Sequence, residues 1–177
     1  LPPGTLPTLW GNRQRFHDTY LSRFEGYYLT GDAGIVDENG YVWVMSRIDD
    51  VINVAGHRLS TGALEEALAT NPVVAECAVI GVSDTLKGEM PLGFVVLNAG
   101  AEVDEEVLRR ELVKTVRELV GPIATPRDIL VVKRVPKTRS GNILRGTMRE
   151  IAEGQDYTMP ATIEDPAVLG EIADELK

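Results

Sequence analysis

The sequence predicts a small mixed α+β domain, preceded by a β-hairpin that closes another folded unit. Three observations predict it. Segments with strand and helix character follow one another in mixed order along residues 50–177. Asn39-Gly40 stands between two β-rich runs, and both of its positions tolerate positive φ. Asp49-Asp50 is a polar break between two strand-like runs, so the boundary is placed there, with 1–48 as the end of one domain and 49–177 as the next.

Residues 1–27 open Pro-rich and show no clean period. "YYLTGDAGIVDENGYVWVMSR" reads as two strands joined by a two-residue turn, and Tyr41–Met45 is aromatic and β-branched as strands prefer. "VINVAG" is a further strand. A helix is expected from Gly62 to Thr70, capped by Ser60 or Thr61, with Glu65 and Glu66 in its first turn and Asn71-Pro72 ending it. "VVAECAVIGVSD" and "LGFVVLN" read as buried strands linked by the polar loop "TLKGEMP". Asp104 caps a long helix whose face is Leu108, Leu112, Val116 and Leu119; Gly121-Pro122 stops it. "ILVVKRV" is a strand, Ile143–Ala152 a short helix, and "DPAVLGEIADEL" a last helix, so the second domain carries three or four helices.

Composition narrows the function. The chain has 177 residues, 44% hydrophobic and 25% charged, which is ordinary for a folded domain with a real core. Its formal charge of −9 argues against a general affinity for nucleic acid. No apolar run approaches the roughly 18 residues of a membrane span. A lone Cys77 excludes an internal disulfide and suits a reducing compartment, the cytoplasm or, in a eukaryote, the mitochondrial matrix. It lies in the apolar run "AECAVIGV" and is read as a packed core thiol. The first residue is not Met, and the chain is expected to be part of a longer one.

Three stretches combine glycine with polar side chains in a way that packing does not require. In "YLTGDAG", Gly31 admits close backbone approach, and Asp32 either accepts hydrogen bonds from a diol or is simply solvated beside a bulge glycine. In "SRIDDVINVAGHRLSTG", Arg47 and Arg58 are suited to phosphate or ribose, with Gly56 beside His57; the plainer alternative pairs Arg47 with Asp49 or Asp50 and leaves His57 structural. The third is "PKTRSGNILRG". Residues 133–149 hold six bases and no acid, whereas 150–177 hold eight acids and one Lys. Either the acidic tail lies against the basic run, or the loop seeks an external anion.

Together "YYLTGD", "SRIDDVINVAGHRLSTGALEEAL" and "VPKTRSGN", in this order, resemble the AMP-forming acyl-CoA synthetases of the adenylate-forming superfamily. The wording looks most like short-chain enzymes of the propionyl-CoA and acetyl-CoA synthetase type. The resemblance covers about residues 25–155 and implies a two-step reaction. A short-chain carboxylate attacks the α-phosphate of Mg2+-bound ATP, and CoA then displaces AMP. It also implies a large N-terminal domain as partner and a small mobile C-terminal lid with two poses. On this resemblance Asp32 binds the ribose and Arg47 assists. Asp49 is the hinge, Gly56 lies along the pantetheine arm, Arg58 approaches the nucleotide phosphates, and Arg117 contacts the CoA nucleotide. The isolated 177 residues are expected to be inactive, because the acyl pocket lies outside them.

One position departs from the family. Its last motif ends in a Lys that bridges the carboxylate and the α-phosphate; here the residue is Asn142. Asn is shorter and neutral, so it cannot offset developing negative charge. The expectation is severely impaired adenylation with a better preserved thioester step. That Lys is also a frequent target of lysine acylation in the family. The alternative is therefore an interaction module recognised through "PKTRSG" by a lysine acyltransferase or deacylase.

Overall fold

The computed structural model describes residues 3–176, apart from the side chains of Met45, Ser46 and Asp49. It divides into two compact units, Leu1–Ile48 and Asp49–Lys177.

The first unit begins with α1 (Arg13–Tyr20), where the Asn12 side chain accepts the Arg15 N–H. Phe16 is its one buried residue; Tyr20 packs on Phe16 and stacks on Tyr28 with ring centroids 4.9 Å apart. A helix this short with one buried position carries no periodic signal, so none was visible in the sequence. β1 (Asp32–Val36) and β2 (Val42–Arg47) form an antiparallel pair with Asp32 opposite Arg47 and an irregularity at Ala33/Gly34. Their turn is longer than two residues. The Asp37 carboxylate accepts N–H groups from Asn39 and Tyr41, which starts the turn at Asp37 and leaves Gly40 at φ 85° as its left-handed residue. These backbone bonds hold the Asp37 carboxyl below its ordinary range.

The second unit is a sheet with helices on both faces. β3 (Val51–Val54) and β4 (His57–Ser60) form an antiparallel hairpin that ends the sheet. α2 (Thr61–Ala69) follows at once. β5 (Val74–Asp84) and β6 (Gly88–Leu97) are long and antiparallel, so much of the loop expected at 85–91 is strand: Gly88–Pro91 pairs with Gly81–Asp84. β7 (Asp128–Val131) runs parallel to β6. α3 (Glu105–Leu119) is capped by the Asp104 carboxylate, which takes the N–H groups of Glu106 and Val107. α4 (Arg145–Ala152) and α5 (Ala167–Glu175) complete the unit.

Alternation along the strands sorts two cores. Val79, Val95 and Ile129 face α2 and α3, meeting Leu64, Leu68, Leu108, Leu112 and Val116. Ala78, Ile80, Leu92 and Phe94 face α4 and α5, meeting Met148, Val168 and Ile172. Each fully buried Leu or Val is worth about 1.5–3 kcal/mol. Leu119 leaves the predicted face: it ends α3 and is 63% exposed, while Val120 and Ile123 pack against the core in its place. The predicted α2 also differs in detail. Ser60 occupies the cap position without a side-chain cap bond, and neither Glu65 nor Glu66 lies in the first turn.

Candidate functional site

In the first unit the structure brings two predicted residues together. Arg47 Nη1 lies 3.2 Å from Asp32 Oδ1 and donates to the Thr30 carbonyl at 2.9 Å. Both side chains are exposed, at 51% and 40%. Gly31, at φ 80°, sits under this guanidinium: a Cβ there would come within 2.6 Å of Arg47 Nη2. The pair is open to solvent, so an incoming hydroxyl group could replace one partner at little cost.

In the second unit the turn between β3 and β4 is Ala55-Gly56, with φ values of 49° and 86°. Two successive positive φ angles give the tight hairpin turn whose twist matches the strands. A Cβ at Gly56 meets nothing within 4 Å, so within this unit the glycine serves backbone conformation. His57 and Arg58 are exposed on β4, and the Arg58 side chain has no ion-pair or hydrogen-bond partner among the described residues. Asp49 stands in the short 3-10 turn Ile48–Asp50; its side chain lies outside the described residues. Asp50, the plainer partner for Arg47, faces Arg145.

Arg117 lies near the C-terminal end of α3, along an open groove of about 670 Å³ that also exposes Arg109, Arg110, Val113 and Lys114. The other cations of this groove pair loosely with carboxylates one turn away at 3.7 Å. Arg117 has no such partner among the described residues.

The basic loop is a small hairpin of its own. Lys137 pairs with Ile143, the Thr138 N–H donates to the Asn142 carbonyl, and the Gly141 N–H donates to the Thr138 carbonyl. Gly141 has φ 86°. Arg139 and Ser140 therefore form the tip. Ile143 belongs to this hairpin, which is why α4 starts two residues later than predicted. The Asn142 side chain is exposed and only grazes Ser140 Oγ, at 3.4 Å. The tail binds the loop through its backbone: the Arg139 N–H donates to the Thr162 carbonyl and the Glu164 N–H to the Lys137 carbonyl.

Most of the charge in residues 133–149 is consumed inside the domain. Arg134 holds Asp165 at 2.6 Å and Glu171 at 2.7 Å, which places the acidic tail against part of the basic run. Both carboxyls lie below their ordinary range: the Ala167 N–H and then the guanidinium hold Asp165 down, and the guanidinium holds Glu171 down. Lys137 pairs with Glu76, and Arg149 with Glu89 and Glu153. Arg145 grips Glu65 with both Nε and Nη2 at 2.8–3.1 Å and lies 3.8 Å from Asp50. Glu65 also accepts the Val79 N–H. Sequence reasoning missed Glu65, Glu76, Glu89 and Glu153 as counter-charges. The signal available was an acid set in apolar surroundings, as in "AECAV" and "GEMPLG". Cys77 is half-buried beside Glu65 and Glu76, and burial followed by these charges pushes its thiol up to about 11. No bond or ion pair links Asn142, Arg58, Gly56 and Arg117 to one another among the described residues.

Comparison with known proteins decides the family. Residues 63–142 match the AMP-binding enzyme C-terminal domain. The chain carries an AMP-binding enzyme C-terminal domain. This domain and its flanks are 49% identical over 177 residues, 100% of the chain, to the mitochondrial acyl-CoA synthetase short-chain family member 3 of Mus musculus, covering 26% of that protein. Identity is 48% over 169 residues, 96% of the chain, to acetyl-coenzyme A synthetase of Pyrobaculum aerophilum, covering 25% of it. The chain thus spans about a quarter of the length of the curated relatives it matches. In fold it is similar to acetoacetyl-CoA synthetase from Streptomyces lividans, with TM-score 0.77 and 23% identity, over 94% of this chain and 25% of that one. It is also similar to ATP-bound MatB from Rhodopseudomonas palustris, with TM-score 0.68 and 25% identity, over 85% of this chain and 29% of that one. No helix among the described residues is long and apolar enough to cross a membrane.

Proposed function

We propose that this chain is the C-terminal part of an AMP-forming acyl-CoA ligase acting on a short-chain carboxylate. The observation that carries the reading is similarity along the whole chain to short-chain acyl-CoA synthetases about four times its length. Residues 1–48 then end a large N-terminal domain and 49–177 form its lid, with Asp49 as hinge. The exposed apolar hairpin, Val36, Val42, Trp43 and Val44 included, fits a unit completed by that larger domain.

In the first step a carboxylate oxygen attacks the α-phosphorus of ATP, the bond to the bridging oxygen breaks, and pyrophosphate leaves. Mg2+ enters with ATP as substrate; among the described residues no group of three or more His, Cys, Asp or Glu could hold a metal ion. Asp32 accepts the ribose hydroxyls, with Arg47 holding its carboxylate in place. Arg58 on β4 is a cation ready for phosphate. In the second step the CoA thiolate attacks the acyl carbon and AMP leaves. Gly56 keeps the path of the pantetheine arm clear, and Arg117 meets the CoA nucleotide. This is positioning and charge neutralisation rather than covalent catalysis by the protein.

Asn142 splits the two steps. The full-length protein should form thioester from a chemically made short-chain acyl-adenylate and CoA much faster than it exchanges pyrophosphate into ATP. Failure to make thioester from any adenylate of two to four carbons sinks the ligase reading. Equal impairment of both steps sinks the role given to Asn142.

A further inference from the structure

The charges of the basic run are not equivalent. Arg134, Lys137, Arg145 and Arg149 each hold at least one carboxylate of the same domain. Lys133 acts on Glu171. Arg139 has no ion pair or side-chain hydrogen bond among the described residues, it is exposed, and unlike Lys133 it acts on no carboxylate there. A paired cation must lose its carboxylate before it can serve a phosphate, and where the pair is partly buried that loss is expensive. Arg139 has nothing to lose. It is the cation that this loop leaves available, in a chain whose net charge is −9.

Its position is fixed where its head group is not. The backbone N–H of Arg139 is tied to the Thr162 carbonyl at 2.9 Å, and the turn closes through Gly141 and Asn142 onto Thr138 at 2.8 Å. Arg139 is three residues from Asn142 in the same turn, so their Cα atoms can be no more than about 11 Å apart. That span is within the combined reach of an Arg side chain and a bound phosphate. A guanidinium also matches phosphate oxygens with a planar fork of donors.

We propose that Arg139 supplies the positive charge at the α-phosphate that Asn142 cannot supply. The inference rests on the ligase reading. As the carboxylate oxygen bonds to the α-phosphorus and pyrophosphate departs, charge builds on the non-bridging oxygens. Arg139 stabilises that charge as a hydrogen-bond donor; it stays protonated and forms no covalent bond. Arg139 is then a catalytic residue of adenylation and has no part in thioester formation.

The test uses the full-length protein, with ATP–pyrophosphate exchange and thioester formation from preformed acyl-adenylate measured side by side. R139Q should lower exchange by about 100-fold, the scale of one lost transition-state donor. It should lower thioester formation no more than threefold. R139K should recover part of the exchange. N142K should raise exchange, and in that background R139Q should cost less than tenfold, because the two cations do the same work. K133Q, a neighbouring exposed charge, should leave both steps within twofold. The proposal is overturned if R139Q leaves exchange within twofold, or lowers both steps alike. It is also overturned if K133Q matches R139Q, or if exchange is undetectable until Asn142 is replaced by Lys. Absence of both steps even in N142K overturns the ligase reading itself, and this inference with it.

Discussion

Replacing Glu65 by Ala removes the acceptor for two nitrogens of Arg145 and for the Val79 N–H. The side chains of Arg145 and Glu65 are 23% and 17% exposed. Breaking a fully buried ion pair costs about 3–5 kcal/mol, so partial exposure places E65A near the low end, about 3 kcal/mol. At about 3–5 °C per kcal/mol for a unit of this size, the midpoint should fall by about 10 °C. R145A should cost a similar amount, because it strands the carboxylate. The double variant should cost about 2 kcal/mol less than the sum. Urea unfolding followed by far-UV circular dichroism is the assay. Trp10 and Trp43 both lie in the first unit, so fluorescence does not report on this pair. A coupling below about 0.5 kcal/mol refutes the claim that these residues act as one tie.

Three further outcomes follow from other sites. Cys77, with its thiol at about 11, should be alkylated at pH 8 at least about 100-fold more slowly in the native chain than in urea, by mass spectrometry. Because folding raises this pKa, its contribution to stability is full below about pH 9 and is lost as pH rises toward 11. Asp165 and Glu171 have lowered pKa values, so their contribution is present above the ordinary carboxylate range and disappears as pH falls through the folded values. R134Q should weaken that acid-side dependence, removing most of the Glu171 part and leaving the part of Asp165 that the Ala167 N–H supplies, read as amide exchange in α5. Glycine replacements should diverge in sign: Gly34→Ala puts a Cβ 2.7 Å from the Trp43 carbonyl oxygen and should disrupt the β1–β2 pair, whereas Gly170→Ala, with open space inside α5, should stabilise by about 0.5–1 kcal/mol in thermal unfolding.

What was legible in the sequence follows from where the apolar residues fall. α3 shows itself through one buried stripe, an Asp cap and a Gly-Pro stop. β5 and β6 read as continuous apolar runs because helices cover both faces of the sheet. β4 was invisible: it is an edge strand, and "HRLS" has no alternation to betray it. The chemistry-bearing loops were found by glycine and charge. Their electrostatics were not, because the carboxylates that quench Lys137, Arg145 and Arg149 lie 61, 80 and 60 residues away, at Glu76, Glu65 and Glu89. Pairing across such separations is set by the fold, and a local charge count overstates what a loop can offer a ligand.

The seam between residues 137–139 and 162–164 makes the segment after residue 160 a control point for the most chemically loaded turn. A stop codon after residue 160 deletes no residue of that turn, yet it cuts away the carbonyl and amide that fasten it, together with both acids that hold Arg134. Genetic lesions within residues 161–177 should therefore score as lesions of the loop.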